Sequence, residues 1–239
     1  MAERDGPEKR GRLSRPLVLD AAVALVDREG LGALTMRRLA AELGVESMAL
    51  YRYTPGKEAL LDGLTEAYFT EINTQLRTGL GSGHENGWRT ELRRIAQAFA
   101  VVAHAHPEIL PLVATRPLAV PVSRRPAPAL ALTEHILSVL ARAGFDDTTA
   151  LTIYRTFVAW NLGFLLVDKR QVVDNPDEPD PVLRLGLHRL PAADYPRLRA
   201  LVPRFADFDD RAEMLTGLDR LLDGMPEPPL DGFYGADGS

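Results

Sequence analysis

Residues 34–57, LTMRRLAAELGVESMALYRYTPGK, leave the chain little freedom in how it can run. Met36, Leu39, Ala40 and Leu43 recur at helical spacing, so this part forms a helix with one apolar face. Thr35 stands just ahead of it as an N-cap. Gly44 follows it, where a turn needs a residue that tolerates positive φ, and Val45 is an apolar plug for the corner. A second helix over 47–53 has only Ala49 and Leu50 as packing residues. Its other side chains, Ser47, Met48, Tyr51, Arg52 and Tyr53, are too polar and aromatic for a buried helix, and seven residues are too few for a helix that stands alone. Two short helices joined by a tight turn, the second with an exposed polar face, make a helix-turn-helix, the unit that offers its second helix to the major groove of DNA.

The rest of the chain repeats the helical period. Ser14 caps a helix with Arg15 and Pro16 in its first turn, carrying the stripe Val18, Ala21, Ala22, Leu25 and Val26 and ending at Gly30. After Pro55-Gly56 a long helix starts at Lys57 with the stripe Leu60, Leu61, Leu64, Ala67, Tyr68, Ile72 and Leu76. Further helices are expected over 87–105, 107–114, 129–143, 147–170, 195–205 and 209–225. The helix over 147–170 is apolar around most of its circumference, which predicts burial on several sides. The segment 172–194 holds four prolines and five acidic residues, a poor core former that reads as a long mobile loop. No stretch alternates as a strand does, and no internal repeat is present. The expected fold is all-α, nine or ten helices in all, with a disordered basic arm over 1–13, a three-helix DNA-binding domain over 14–56, a larger helical regulatory and dimerisation domain over 57–225 and a disordered tail over 226–239.

The net charge of −5 is unevenly placed. Residues 1–57 carry ten Lys and Arg against eight Asp and Glu, whereas residues 58–239 carry 18 against 25. An acidic body with a small basic head can bind DNA through the head alone. There are no cysteines, so disulfides and thiolate metal sites are excluded. No run of about 18 apolar residues is present, and the charged N-terminus lacks a secretory apolar core. A cytoplasmic protein without a membrane partner is the expectation.

On these residues the chain resembles the TetR family of bacterial transcriptional regulators. The resemblance rests on the first amphipathic helix, LTMRRLAAELGV, ALYRY and the KEALL that opens the fourth helix. HAHPE at 104–108, RPLAVP at 116–121 and GLDRLLDGM at 217–225 are similar to the tetracycline-repressor-like regulatory domains of that family. The resemblance implies a third helix in the major groove, with Ser47, Met48, Ala49, Tyr51, Arg52 and Tyr53 facing DNA, joined by Arg37 and Lys57. The side-chain chemistry is compatible. Arg37 and Arg52 reach phosphates or a guanine edge. The hydroxyls of Thr35, Tyr51 and Tyr53 suit phosphate oxygens, and Lys57 adds a charge at a helix N-terminus. The alternatives are that Tyr51 packs partly in the core and that Arg37 and Arg38 are solvated charges only.

The resemblance also implies a homodimer binding a palindromic double-stranded operator, with half-sites about 34–36 Å or a multiple apart. The helices over 147–170 and 209–225 are the interface candidates, through Ala159, Gly163, Met214, Leu218, Leu221 and Leu222. The alternative is that both are internal core helices. For a small, mostly apolar effector the candidate residues are Tyr68, Phe99, His104, Tyr154, Phe157, Trp160, Asn161 and Phe164, each of which can equally be plain core. The expected function is a ligand-responsive transcriptional regulator, a repressor released by its effector, with no cofactor. A metal-responsive regulator using His104-x-His106, an activator, and an enzyme with an unrecognised site are the alternatives. No nucleophile elbow, phosphate loop or dinucleotide fingerprint supports the last.

Overall fold

The computed structural model describes residues 13–78, 87–116, 120–169, 175, 177–184, 186–206 and 210–228. The expected arm over 1–12, the Gly-rich loop over 79–86 and the tail over 229–239 lie outside them. Among the described residues every regular element is helical: α1 (Arg15–Glu29), α2 (Met36–Leu43), α3 (Ser47–Leu50), α4 (Lys57–Thr78), α5 (Trp88–Ala105), α6 (Leu110–Thr115), α7 (Ala127–Arg142), α8 (Asp147–Lys169), α9 (Pro181–Arg184), α10 (Pro196–Ala206) and α11 (Asp210–Asp223). Ten of these match the helices expected from periodicity. The exception is α9, a single turn with a short 3-10 turn, Leu187–Arg189, after it. Both lie inside the segment expected to be a loop, and Pro181 occupies the first helical position, where its missing N–H costs nothing.

The chain divides into two compact units. The first comprises residues 1–75 and 105–132, and so holds α1 to α3, most of α4, and α6. Its core is built from the α1 stripe (Val18, Leu19, Ala22, Leu25, Val26), Leu34, Leu39, Leu50 and the α4 stripe (Leu60, Leu64, Tyr68, Ile72), all buried. Ser14 accepts a hydrogen bond from the Leu17 N–H at 3.4 Å, and Gly30 (φ +80°) ends α1. Ion pairs tie α4 to its neighbours. Arg15 of α1 makes a forked pair with Glu66 at 2.6 and 3.1 Å. Arg116, after α6, donates to Asp62 at 2.5 Å, to Glu58 at 3.0 Å and to the Glu58 carbonyl at 2.9 Å. His106 stands between Asp27 of α1 and Glu71 of α4, one ring nitrogen to each carboxylate, at 2.7 and 2.9 Å.

The second unit comprises residues 76–104 and 133–239. Trp88 opens α5 and meets Phe145 edge to face at 5.2 Å, while the Arg89 guanidinium lies 4.4 Å over the Trp88 ring. Asp146 caps α8. It accepts from the Thr148 and Thr149 N–H groups at 3.0 Å each and from the Thr149 hydroxyl at 2.7 Å, and these bonds hold its carboxyl below the usual value. Helix α8 is buried along one row only, Ala150, Ile153, Phe157, Asn161 and Leu165. Among the described residues the expected burial on several sides does not occur: Ala159 and Gly163 are exposed, and Val167 is 78% exposed. Periodicity reports how much of a helix is apolar, not what covers it. Asp147–Val167 is also long and apolar enough to cross a membrane by length and composition, with a mean hydropathy of 1.4. Arg155 interrupts it on an exposed face, and the row from Ala150 to Leu165 is buried.

Candidate nucleic-acid interface

The helix-turn-helix is built by its caps. Thr35 is extended and its hydroxyl accepts from the Arg38 N–H at 3.1 Å, which starts α2. Gly44 ends it in the left-handed region at φ +66°. The Val45 N–H reaches back to the Ala40 carbonyl at 3.0 Å and the Gly44 N–H to Ala41 at 3.2 Å, the paired bonds of a Schellman turn. Helix α3 has four residues where seven were expected. Residues 51–53 continue it as a turn, with the Tyr53 and Thr54 N–H groups both donating to the Leu50 carbonyl at 2.9 Å. Leu50 is fully buried and anchors the element. Buried Thr54 then turns the chain toward Gly56 (φ +103°), which precedes α4.

With Leu50 inward, the other side chains of α3 and its turn point away from the core. Met48 is 73% exposed and Tyr51 45% exposed, so Tyr51 is a surface residue. Arg52 is exposed, and Ser47, Ala49 and Tyr53 are half-buried. Thr35, Arg37 and Lys57 are exposed as well.

The arginines of α2 divide sharply. Arg38 is held by Glu29 at 2.5 Å and Glu42 at 3.0 Å. Arg28 joins the same two carboxylates at 3.1 and 3.0 Å. The hydrogen bond from Arg38 keeps the Glu29 carboxyl below its ordinary value, and Arg28 adds to the effect. Arg38 is therefore already neutralised. Arg37, Arg52 and Lys57 have no ion-pair partner among the described residues, so their charge is available to an outside anion. The Arg38–Glu42 pair was readable from its i,i+4 spacing. The Glu29 and Arg28 partners were not, because they arrive from another helix.

The effector candidates are split between the units. Tyr68 is on α4 in the first unit, 2% exposed, with its hydroxyl lacking a hydrogen-bond partner among the described residues. The others belong to the second unit. His104 is exposed and its ring Nδ1 lies 2.7 Å from the Ala100 carbonyl. Phe99 and Phe157 are buried, Trp160 and Phe164 are half-buried and stack at 5.5 Å, and the half-buried Tyr154 hydroxyl shares a hydrogen bond with Thr133 at 3.1 Å. Asn161 is 1% exposed and its amide oxygen has no hydrogen-bond partner among the described residues. Of the residues expected at a dimer interface, Ala159 and Gly163 are exposed and Leu221 is half-buried, but Met214, Leu218 and Leu222 are at most 2% exposed. These last three face this chain's own core, where Gly217 leaves room for the Trp160 ring beside α11. Among the described residues no group of three or more His, Asp or Glu is placed to hold a metal ion.

Residues 18–64 match the model for bacterial regulatory proteins of the tetR family, and residues 81–228 match the tetracycline repressor-like C-terminal domain. The chain belongs to the TetR family of bacterial transcriptional regulators. It is 32% identical over 225 residues to an HTH-type transcriptional regulator of Saccharopolyspora erythraea, covering 92% of this chain and 89% of that one. The tetracycline repressor class A of Escherichia coli is 28% identical over 220 residues, covering 92% and 93%. The crystal structure of a possible TetR family regulator from Streptomyces coelicolor superposes with a TM-score of 0.71 at 26% identity, covering 88% of this chain and 98% of that one. TetR-family members are transcriptional regulators, typically ligand-responsive repressors.

Proposed function

We propose that this TetR-family regulator is a homodimeric repressor that reads a palindromic operator through α3 and the turn after it, and that a small, mostly apolar effector releases it. The observation that carries the reading is the contrast among the head's cations. Arg37, Arg52 and Lys57 are exposed and unneutralised beside an exposed Met48–Tyr51 face, whereas Arg38 is consumed internally. Arg37 and Lys57 meet phosphates. Arg52 and Tyr51 lie on the element that enters the groove, with Ser47, Met48, Ala49 and Tyr53, and Thr35 offers a further hydroxyl to the backbone.

Two features of the second unit support the remainder. The exposed apolar face of α8, with Ala159, Gly163 and Val167, suits close packing against the same helix of a second copy. The unpartnered Asn161 oxygen lies on a row that is otherwise apolar, in keeping with a cavity in which one polar group orients an apolar ligand. Such an effector acts only if it binds the DNA-incompetent conformer more tightly.

The test is selection of bound duplexes from a random pool, followed by titration of the winners with Arg52→Ala, Tyr51→Ala and Arg38→Ala proteins. Palindromic winners that lose affinity with the first two variants fit the reading. Unchanged affinity for both Arg52→Ala and Tyr51→Ala removes it.

A further inference from the structure

An open groove of about 670 Å³ runs between α1 and α4 in the first unit, lined also by His106 and Ile109. Its walls are apolar, with Leu19 and Val23 from α1 and Ala67 and Tyr68 from α4. Its charges are mostly negative: Asp20, Asp27, Glu66 and Glu71 line it, against Arg15 and His106. Arg15 is committed to Glu66, and His106 is shared between Asp27 and Glu71. Asp20 is exposed and has no ion-pair partner among the described residues. The groove therefore keeps an excess of carboxylate charge beside apolar walls.

Tyr68 supplies an independent pointer. Tyr68 lines the groove, is 2% exposed, and carries a hydroxyl with no hydrogen-bond partner among the described residues. A buried hydroxyl left unmade costs stability, and native structures rarely tolerate one without a use for it. Burial, helped by the negative charge of Glu71, pushes its pKa well up, so the group stays a neutral phenol that can accept or donate a hydrogen bond.

We propose that the α1–α4 groove is a binding site for a small apolar molecule bearing a positively charged amine, distinct from the effector site proposed in the second unit. The apolar body lies along the Leu19, Val23 and Ala67 walls. The Tyr68 hydroxyl is the buried hydrogen-bond partner, and the unpaired carboxylate of Asp20, with Asp27 and Glu71, supplies the field that selects a cation. An occupant sits where the first helix of the DNA-binding head packs on α4, so it acts on the head directly.

The test uses the full chain without DNA, so its outcome does not depend on the operator reading. Isothermal titration compares three probes of one shape: the 4-phenylbutylammonium ion, 4-phenylbutanol and 4-phenylbutyrate. The expected order is ammonium tightest, alcohol weaker and carboxylate undetectable. Asp20→Asn weakens the ammonium by about tenfold, the ratio for one charge-assisted contact, and leaves the alcohol unchanged. Tyr68→Phe weakens both, and Val23→Trp, which fills the groove, abolishes both. Val101→Ser, on an exposed face of α5 in the other unit and outside both sites, leaves all three titrations as they were. Should Val23→Trp fail to fold, Asp20→Asn and Tyr68→Phe, each a change of one or two atoms, still decide. Equal binding of ammonium and carboxylate, no binding of the ammonium, or binding lost with Val101→Ser but kept in the groove variants overturns the proposal.

Discussion

Gly63 of α4 meets the Leu19 side chain of α1 with no room for a methyl between them: a Cβ built on Gly63 would lie 2.3 Å from one Leu19 δ-carbon and 3.3 Å from the other. Both residues are buried. The close approach seats the first helix of the head on α4, and the Arg15–Glu66 and His106 pairs hold the same two helices beside it. A glycine inside a helix costs about 1 kcal/mol relative to alanine, so its presence here marks a packing need.

Gly63→Ala therefore lowers the unfolding midpoint although alanine is the better helix former. Overpacking of about 1–3 kcal/mol exceeds the propensity gain. Adding Leu19→Ala to Gly63→Ala recovers part of the loss relative to additivity, a coupling that a double-mutant cycle by thermal denaturation reads directly. A midpoint that rises in the single variant would show that the helices are not in contact there.

The three free cations and the neutralised Arg38 separate in salt titrations of operator binding. Arg37→Ala and Lys57→Ala each reduce the slope of log affinity against log salt by about 1, as for loss of one phosphate contact. Arg52→Ala weakens binding by about 1–3 kcal/mol and relaxes base preference at one position if it reads a guanine edge. Arg38→Ala leaves the salt slope unchanged and shows its effect in thermal stability, because it leaves Glu29 and Glu42 facing each other with Arg28 alone.

Acid stability passes through Glu91. Burial on its own raises a carboxyl pKa, but hydrogen bonds from His135 at 2.6 Å and from Arg94 at 2.6 and 2.9 Å outweigh it and hold Glu91 at about 2, against an ordinary value of 4.5. The folded value is depressed, so the ionised form stabilises the fold above pH 4.5, and that contribution is lost as pH falls toward 2. Glu91→Gln is expected to lose about 1–3 kcal/mol at pH 7 and to flatten the acid limb of the stability curve. Urea unfolding at a series of pH values measures both. Equal pH dependence of the two proteins below pH 4.5 would count against the assignment.

Asn161 should cost the free protein stability. Its buried oxygen has no partner among the described residues, so Asn161→Leu is expected to be neutral or to raise stability by about 1 kcal/mol. Phe157→Ala, one turn earlier in the same buried row, loses about 3–5 kcal/mol. Chemical denaturation compares them. A loss above about 2 kcal/mol in Asn161→Leu would mean that the amide is fully bonded in the free protein.

Helix α8 gives an association test. Gly163→Arg and Val167→Glu, both on the exposed face, should lower the mass by light scattering to that of one chain while leaving helical content intact. Leu218→Arg, in the core, should unfold the second unit instead.

Much of the fold could be read from local chemistry because the signals are local. Thr35 and Gly44 bracket α2 through bonds within four or five residues of themselves, and Asp146 starts α8 the same way. Helix periodicity located α1, α4, α5 and α7 for the same reason. What local chemistry leaves open depends on partners distant in sequence. The apolar circumference of α8 does not reveal that only one row is covered, and the apolar spacing of Met214, Leu218 and Leu222 does not say whether the helix faces its own core or a second chain.

The exposed face of the helix-turn-helix was thus determined by the sequence itself: caps, turn and a short helix with a single buried anchor, Leu50, leave Met48, Tyr51 and Arg52 no way inward. Tertiary structure alone decided which charges remain free. Arg37 and Arg38 are neighbours of identical chemistry, but Glu29, nine residues away on α1, turns toward Arg38 and not toward Arg37. It alone also decided that α1 and α4 meet at Gly63 and part around Tyr68, opening a groove. Backbone hydrogen bonding and side-chain period act over a few residues and are written in the local sequence. Ion pairing and helix approach are set by which surfaces packing brings together.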